Sequence, residues 1–388
     1  MMSGRNTGSF YAAFVAMIAL VGCSGGNGAG TPTGAAGSGG GGGATSGGAG
    51  GATGSGGAAS GSGGATSGGT GGAPTGGTGG QSPADAGKDT PAPDAGPGDA
   101  ASDVAATGPA MPVQRNGRWA FDLGEVTFEV DPQVGGRITT FALGGRNLLT
   151  GPAVNDLYWG STFWTSPESQ WKQPPPTQID SAPFATTATA TSVTMTGPPS
   201  PLLGVSISKT FAADRGRGTV QITYKITNTK QVVVHMAPWE ITRVAASGLT
   251  FFPTGSKSML SMGATLPTTG EAGITWFTYD AAKISADSKL IADATEGWIA
   301  HVDQGVVLIK KFADVPPAQI APTEGDVELY TNKLHTYIEL EDQGAYGDIA
   351  PGASTSWTVT WFLKRLPAGV TATAGDAALA AFVRDAVR

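Results

Sequence analysis

The chain has a single cysteine, Cys23, among 388 residues. An internal disulfide is therefore impossible, and thiolate metal sites and cysteine catalysis are excluded with it. Charge is scarce as well: 14% of residues are Asp, Glu, Lys or Arg, and the formal net charge is −7. No basic patch accompanies that balance, so the electrostatic footprint of a nucleic-acid binder is missing. The three histidines, His235, His301 and His335, show no metal-ligand spacing, and no metal site is expected from them. No glycine-rich loop joins a strand to a helix, and no nucleophile elbow is present, so no phosphate-bearing cofactor is expected. Long apolar runs are lacking too. The longest near the N-terminus, Phe10 to Val21, falls short of the roughly 20 residues needed to span a bilayer.

What is present divides the chain in three. Arg5, the Phe10–Val21 run and "LVGC" read as a secretory leader over residues 1–22. The "LVGC" segment resembles the lipobox of bacterial lipoproteins, which implies lipidation of Cys23 after cleavage. Residues 23–110 consist mostly of Gly, Ala, Ser, Thr and Pro, with Val104 as the only large aliphatic and no aromatic. Such a stretch cannot bury enough apolar surface to offset chain entropy, and reads as a disordered tether reaching on the order of 50 Å. The expected location is the bacterial cell envelope, with membrane contact through the lipid. Ser24, in place of the aspartate that retains many such lipoproteins at the inner membrane, points to the outer membrane.

All nine tryptophans lie in residues 111–388. In "TVQITYKITN", Val220, Ile222, Tyr224 and Ile226 share one face, while Gln221, Thr223 and Lys225 share the other. "EVTFEV" and "WTVTWFLK" alternate in the same way, with Gly/Pro punctuation between segments. This period of two predicts an all-β fold, a large antiparallel β-sandwich. The one convincing helix is C-terminal, in "GDAALAAFVRDAVR", where Leu379, Phe382, Val383, Ala386 and Val387 fall at helical spacing.

Three segments, in order, carry a resemblance: "GGRITTFALGGRNLL", then "VELYTN" followed by "YIELEDQG", then "IAPGASTSWTVTWFL". Together they resemble the galactose mutarotase-like (aldose epimerase-like) superfamily, and "YWGSTFWTSPESQWKQPPP" with "APWEITRV" resembles a bacterial branch of it without assigned function. The resemblance implies a supersandwich fold, a carbohydrate ligand and a mutarotase-type isomerase. It sets Leu340-Glu341-Asp342-Gln343 against the family's Leu-Glu-x-Gln segment and so gives Glu341 the base role. It also sets Trp239 at the position of the family's acid histidine, so that acid is missing. A non-catalytic glycan-binding or envelope scaffold module is the alternative.

Period two places His335, Tyr337, Glu339 and Glu341 on one strand face. Two glutamates so close can raise each other's pKa, as acid–base work requires, or they can form an ordinary solvated face. His335 is a candidate replacement acid or a structural histidine beside a turn. Arg137 and Arg243 are candidate clamps for sugar hydroxyls through paired donors, with a surface salt bridge as the alternative for Arg243. Trp239, Ile241 and Arg243 share a face, and Glu240 joins them as a ligand only if Pro238 introduces a bulge. Trp159, Phe163, Trp164 and Trp171 lie in a Gly/Ser/Pro-rich stretch expected to be a loop, with Trp164 at the rim of a sugar site or capping the sandwich end. The expectation is that Glu341, Trp239, Arg243 and Arg137 line one concave surface.

Overall fold

The computed structural model describes residues 107–388 apart from Ser258. The 1–22 leader, Cys23 and nearly all of the 23–110 tether lie outside the described residues. Pairing begins with Pro109–Ala110, which adds to the Val205–Asp214 strand.

Two antiparallel sheets, of 11 and 12 strands, account for the described fold. The first has Val306–Lys311, Ser354–Arg365, Thr219–Asn228 and Val205–Asp214 side by side at its middle. The second runs through Ser288–Ala292, Val327–Thr331, Tyr337–Gln343, Val234–Ala245, Ser161–Ser166 and Arg137–Leu143. The alternating segments become strands as expected: Thr219–Asn228 turns Val220, Ile222, Tyr224 and Ile226 inward, all at most 1% exposed. Aromatic rings close the gap between the sheets. Phe128 meets Phe141, Phe211 and Trp361 at 5.8, 5.9 and 6.2 Å between centroids, and Phe163 stacks on Tyr224 at 4.2 Å.

The C-terminal helix, Ala377–Ala386, starts at Asp376, whose carboxylate accepts from the Ala378 and Leu379 amides at 2.8 and 2.9 Å. This cap satisfies donors that the first turn leaves open. Leu379, Ala380 and Val383 then pack on the outer face of the 11-stranded sheet, against Phe251, Trp276, Trp298 and Ile309. A short helix, Thr177–Asp180, adds a second. Among the described residues no helix is long and apolar enough to cross a membrane.

A charged knot lies between the sheets. Lys310 reaches Asp342 at 2.6 Å and Glu240 at 3.1 Å, and donates to the Leu340 carbonyl at 3.0 Å. The indole N–H groups of Trp361 and Trp357 donate to Glu240 and Asp342 at 2.9 and 3.0 Å. Burial and the neighbouring Asp342 push the Glu240 carboxyl up to about 7, against the pull of Lys310. Each ion of the knot has an opposite charge and a hydrogen-bond donor or acceptor beside it, which offsets part of the cost of burying it, although Glu240 Oε2 has no hydrogen-bond partner among the described residues.

Candidate functional site

The Val234–Ala245 strand pairs without a break at Pro238, from Ala237 opposite Ser166 to Thr242 opposite Ser161. No bulge intervenes, so alternation holds through it. Glu240 therefore points into the sandwich, toward Lys310, and is not among the groups available to a ligand. Trp239, Ile241 and Arg243 point the other way, out of the sandwich.

Register builds the rest of that outer face. Trp239 stands between Trp164 and Gln343, Ile241 between Thr162 and Glu341, and Arg243 beside Glu339. One strand further, Glu328 opposes Glu341 and Tyr330 opposes Glu339; beyond that, Lys289 opposes Tyr330. The resulting contacts are short. The Trp239 indole N–H donates to Glu341 Oε2 at 2.8 Å, and Lys289 Nζ approaches the same oxygen at 3.1 Å. Lys289 also pairs with Glu328 Oε2 at 2.5 Å and sits 4.7 Å above the Trp239 ring. Arg243 Nε donates to Glu339 Oε1 at 2.7 Å and Nη1 to Thr162 Oγ1 at 3.1 Å. Its guanidinium lies over Trp164 and Tyr158, at 5.2 and 5.4 Å.

Arg137 and Trp164 join through Asp180. One carboxylate oxygen accepts from Arg137 Nη2 at 3.1 Å and the other from Trp164 Nε1 at 2.9 Å. Arg137 also donates to the carbonyls of Leu157 and Trp159 at 2.9 and 3.3 Å. Two glycines allow this close approach. A Cβ on Gly135, at φ +75°, would stand 2.0 Å from the Asp180 carbonyl oxygen, and one on Gly160, at φ +61°, 2.4 Å from that of Ile138. Both positions also need a left-handed backbone, which glycine adopts without penalty. Gly135 thereby lets the Thr177–Asp180 turn close on the Arg137 strand, and Gly160 does the same for the start of the Ser161–Ser166 strand.

Arg137, Trp164, Trp239, Arg243, Glu339 and Glu341 thus form one network, which two expected members do not join. His335 sits in an exposed turn at φ +55°, with its Nδ1 2.9 Å from the Tyr279 hydroxyl. The left-handed turn interrupts alternation before Tyr337, so His335 does not share the face of Glu339. Glu240 is the other, turned inward as described. The Trp-rich stretch also differs from a plain loop: Phe163 and Trp164 belong to the Ser161–Ser166 strand at mid-sheet, with Trp159 and Trp171 on either side. Trp171 packs on Trp164 and Trp239 at 5.4 and 6.1 Å, so Trp164 is covered and not at a rim.

Lys289, Glu328, Asp180 and Tyr158 were not singled out from sequence. A lysine and a glutamate inside short apolar strands, "SKLIA" and "VELYT", were the available hint.

Burial sets the chemistry. Trp239, Arg243 and Glu341 are at most 1% exposed, whereas the side chains of Glu339 and Lys289 keep 12% and 15%. Solvent therefore reaches the network at Glu339 and Lys289. Burial and Glu341 push the Glu339 carboxyl up to about 7, although Arg243 and Lys289 pull it down. Glu328 is raised well above the usual range, mainly by burial. Lys289 loses solvation, yet Glu328, Glu341 and Glu324 more than compensate and hold its ammonium firmly protonated. Glu341 Oε1, Gln343 Oε1 and Arg243 Nη2 are buried with no hydrogen-bond partner among the described residues. Among those residues no cluster of His, Cys, Asp or Glu is arranged to hold a metal ion. A separate cleft of about 300 Å³ lies at the end of the sandwich, lined by Pro238, Val315, Pro316 and Trp357.

Residues 118–364 match the model of a family described as a domain of unknown function (DUF4380). Among curated proteins none matches the chain. Solved structures do. A TPR-domain containing protein from Parabacteroides distasonis is 14% identical with a TM-score of 0.50, over 66% of this chain and 49% of that one. The chain thus spans about half the length of that protein, and the likeness is one of fold. A galactose mutarotase-like protein from Lactobacillus casei is 10% identical with a TM-score of 0.43, over 66% of this chain and all of that one (100%). A galactose 1-epimerase from Lactobacillus acidophilus is 12% identical with a TM-score of 0.41, over 67% and 99%.

Proposed function

The chain belongs to the DUF4380 family of domains of unknown function, and from its own site we propose that it is a carbohydrate-binding protein whose ligand sits on the outer face around Trp239, Arg243, Glu339 and Glu341. The observation that carries this reading is the joining of aromatic faces, carboxylates and guanidinium groups from distant segments into one network. Ring faces stack on the apolar faces of sugars, and buried carboxylates and guanidinium groups fix hydroxyls by paired hydrogen bonds. The sequence resemblance to aldose epimerases points the same way.

A mutarotase-type activity is the second part of the reading, favoured by Glu339. Glu341 takes the proton of the anomeric hydroxyl, while Glu339, raised to about 7, gives one to the ring oxygen in place of the missing histidine. The ring opens, rotates and recloses, and both protons return. A non-catalytic glycan-binding module is the competing reading, favoured by Trp239 at the histidine position and by the closure of Glu341 from solvent.

Glycan-array screening followed by calorimetry on wild type, Trp239→Ala and Glu341→Gln tests binding. Trp239→Ala should weaken it by removing the buried ring that holds Glu341 and Lys289 in place, whereas Glu341→Gln should bind and lose any anomer exchange seen by NMR. A wild type that binds no glycan, or a Trp239→Ala variant that binds as tightly, removes the assignment. Exchange that survives Glu341→Gln leaves only the binding module.

A further inference from the structure

We propose, resting on the carbohydrate reading above, that the outer-face site takes an oligosaccharide rather than a single sugar, with Met262 at the sheet edge as its far contact. Trp239, Arg243 and Glu341 lie beneath the surface, at most 1% exposed, so a ligand meets what stands over and beside them. Strand register sets those groups in a row. Arg243 opposes Glu339, Glu339 opposes Tyr330, Tyr330 opposes Lys289, and Lys289 opposes Met262. Directly opposed residues share a face, so Met262 points outward together with Lys289. Four strand spacings of about 4.8 Å make the row about 19 Å long, which is several sugar rings.

The two ends of the row differ. At one, Tyr158 stands over the Arg243 guanidinium at 5.4 Å, its hydroxyl donating to Gln173 at 3.0 Å, and walls that end. At the other, the Leu260–Gly263 strand is the last of the 12-stranded sheet, and Leu260 and Met262 are 48% and 54% exposed. A terminal ring set against Tyr158 and Glu339 therefore extends toward Met262. Sheet edges are commonly blunted by charge or proline, and Leu-Ser-Met-Gly carries neither. Apolar side chains left in solvent beside a polar site mark a ligand surface. The Met262 thioether adapts to the apolar faces of sugar rings, and Tyr330, partly exposed, offers an aromatic one. Between them the side chains of Glu339 and Lys289, 12% and 15% exposed, present an acceptor and donors to hydroxyls. A protein strand added to the same edge would use backbone groups and leave this row of side chains unused.

A glycan array carrying glucose, galactose, mannose and N-acetylglucosamine ladders of one to four residues, followed by calorimetry of the full chain with the best-bound ladder, tests this. The tetrasaccharide should bind at least tenfold tighter than its monosaccharide. Met262→Ser alters a solvent-facing side chain and leaves the core intact. That variant should lose at least threefold for the tetrasaccharide and keep its affinity for the disaccharide. Equal affinity along the ladder, or a loss on Met262→Ser that is absent or the same for every length, overturns the extended site while leaving the sugar reading intact. A dimer seen by sedimentation that Met262→Ser dissolves, with glycan affinity unchanged, gives the edge to a second copy and likewise overturns it. No binding to any ladder overturns both readings.

Discussion

Glu339 sits between opposing influences: burial and Glu341 favour its protonated form, Arg243 and Lys289 its ionised form, and the carboxyl ends near 7 against an ordinary 4.5. In the unfolded chain it ionises near that ordinary value. Between about 4.5 and about 7 the folded protein therefore binds more protons, and the stability Glu339 contributes is present at low pH and lost as pH rises through 7. Lys209 has the opposite sign. Burial lowers it from 10.5 to about 7, where it holds the Gly135 carbonyl at 2.7 Å, so its contribution grows with pH above 7. Comparing wild type with Glu339→Gln separates the two, because Gln copies the neutral carboxyl and still accepts from Arg243. Thermal unfolding at pH 5 and pH 8 should show wild type losing about 1–3 kcal/mol more than the variant, since each tenfold change in proton affinity is worth about 1.4 kcal/mol. Parallel curves would mean that Glu339 is not held protonated by the fold.

Strands whose residues alternate in character were legible as elements, even Tyr337–Gln343, which is buried on both faces, whereas Ser161–Ser166 was not. Thr219–Asn228 shows its interior by alternation alone, and the same alternation turns Glu240 inward once Pro238 proves not to be a bulge. The Ser161–Ser166 strand is buried at every position. It has no polar side to alternate, and its Gly and Pro neighbours make it look like a loop. The face of Glu339 and Glu341 was legible; its neighbours were not, because Lys289 and Glu328 reach it through register, which no local period encodes. Alternation also ran two residues too far at His335, since a left-handed turn at a histidine leaves little mark in the sequence. Asp180 escaped notice for a related reason. Its place depends on the absence of a Cβ at Gly135, far from it along the chain.

At the scale of the whole molecule, the β-domain joins an N-terminal stretch whose sequence resembles a lipoprotein leader and tether, and we propose a lipid-anchored envelope protein on that basis. Cys23→Ala should move the protein out of the detergent phase in a partitioning experiment while its β-sheet spectrum is unchanged; equal partitioning of both forms would remove the anchor. Among the regions the domain offers a ligand are the outer-face network, the cleft at Trp357 and a cleft of about 350 Å³ beside His235 and Tyr346, and the first is the one proposed to hold the sugar. A crystal structure of the chain with the tightest-binding sugar decides between them. The sugar is predicted against Tyr158, Lys289 and Glu339, with its hydroxyls on the carboxylates there; a sugar lodged instead between Pro316 and Trp357, or beside His235, with that face empty, would contradict the account.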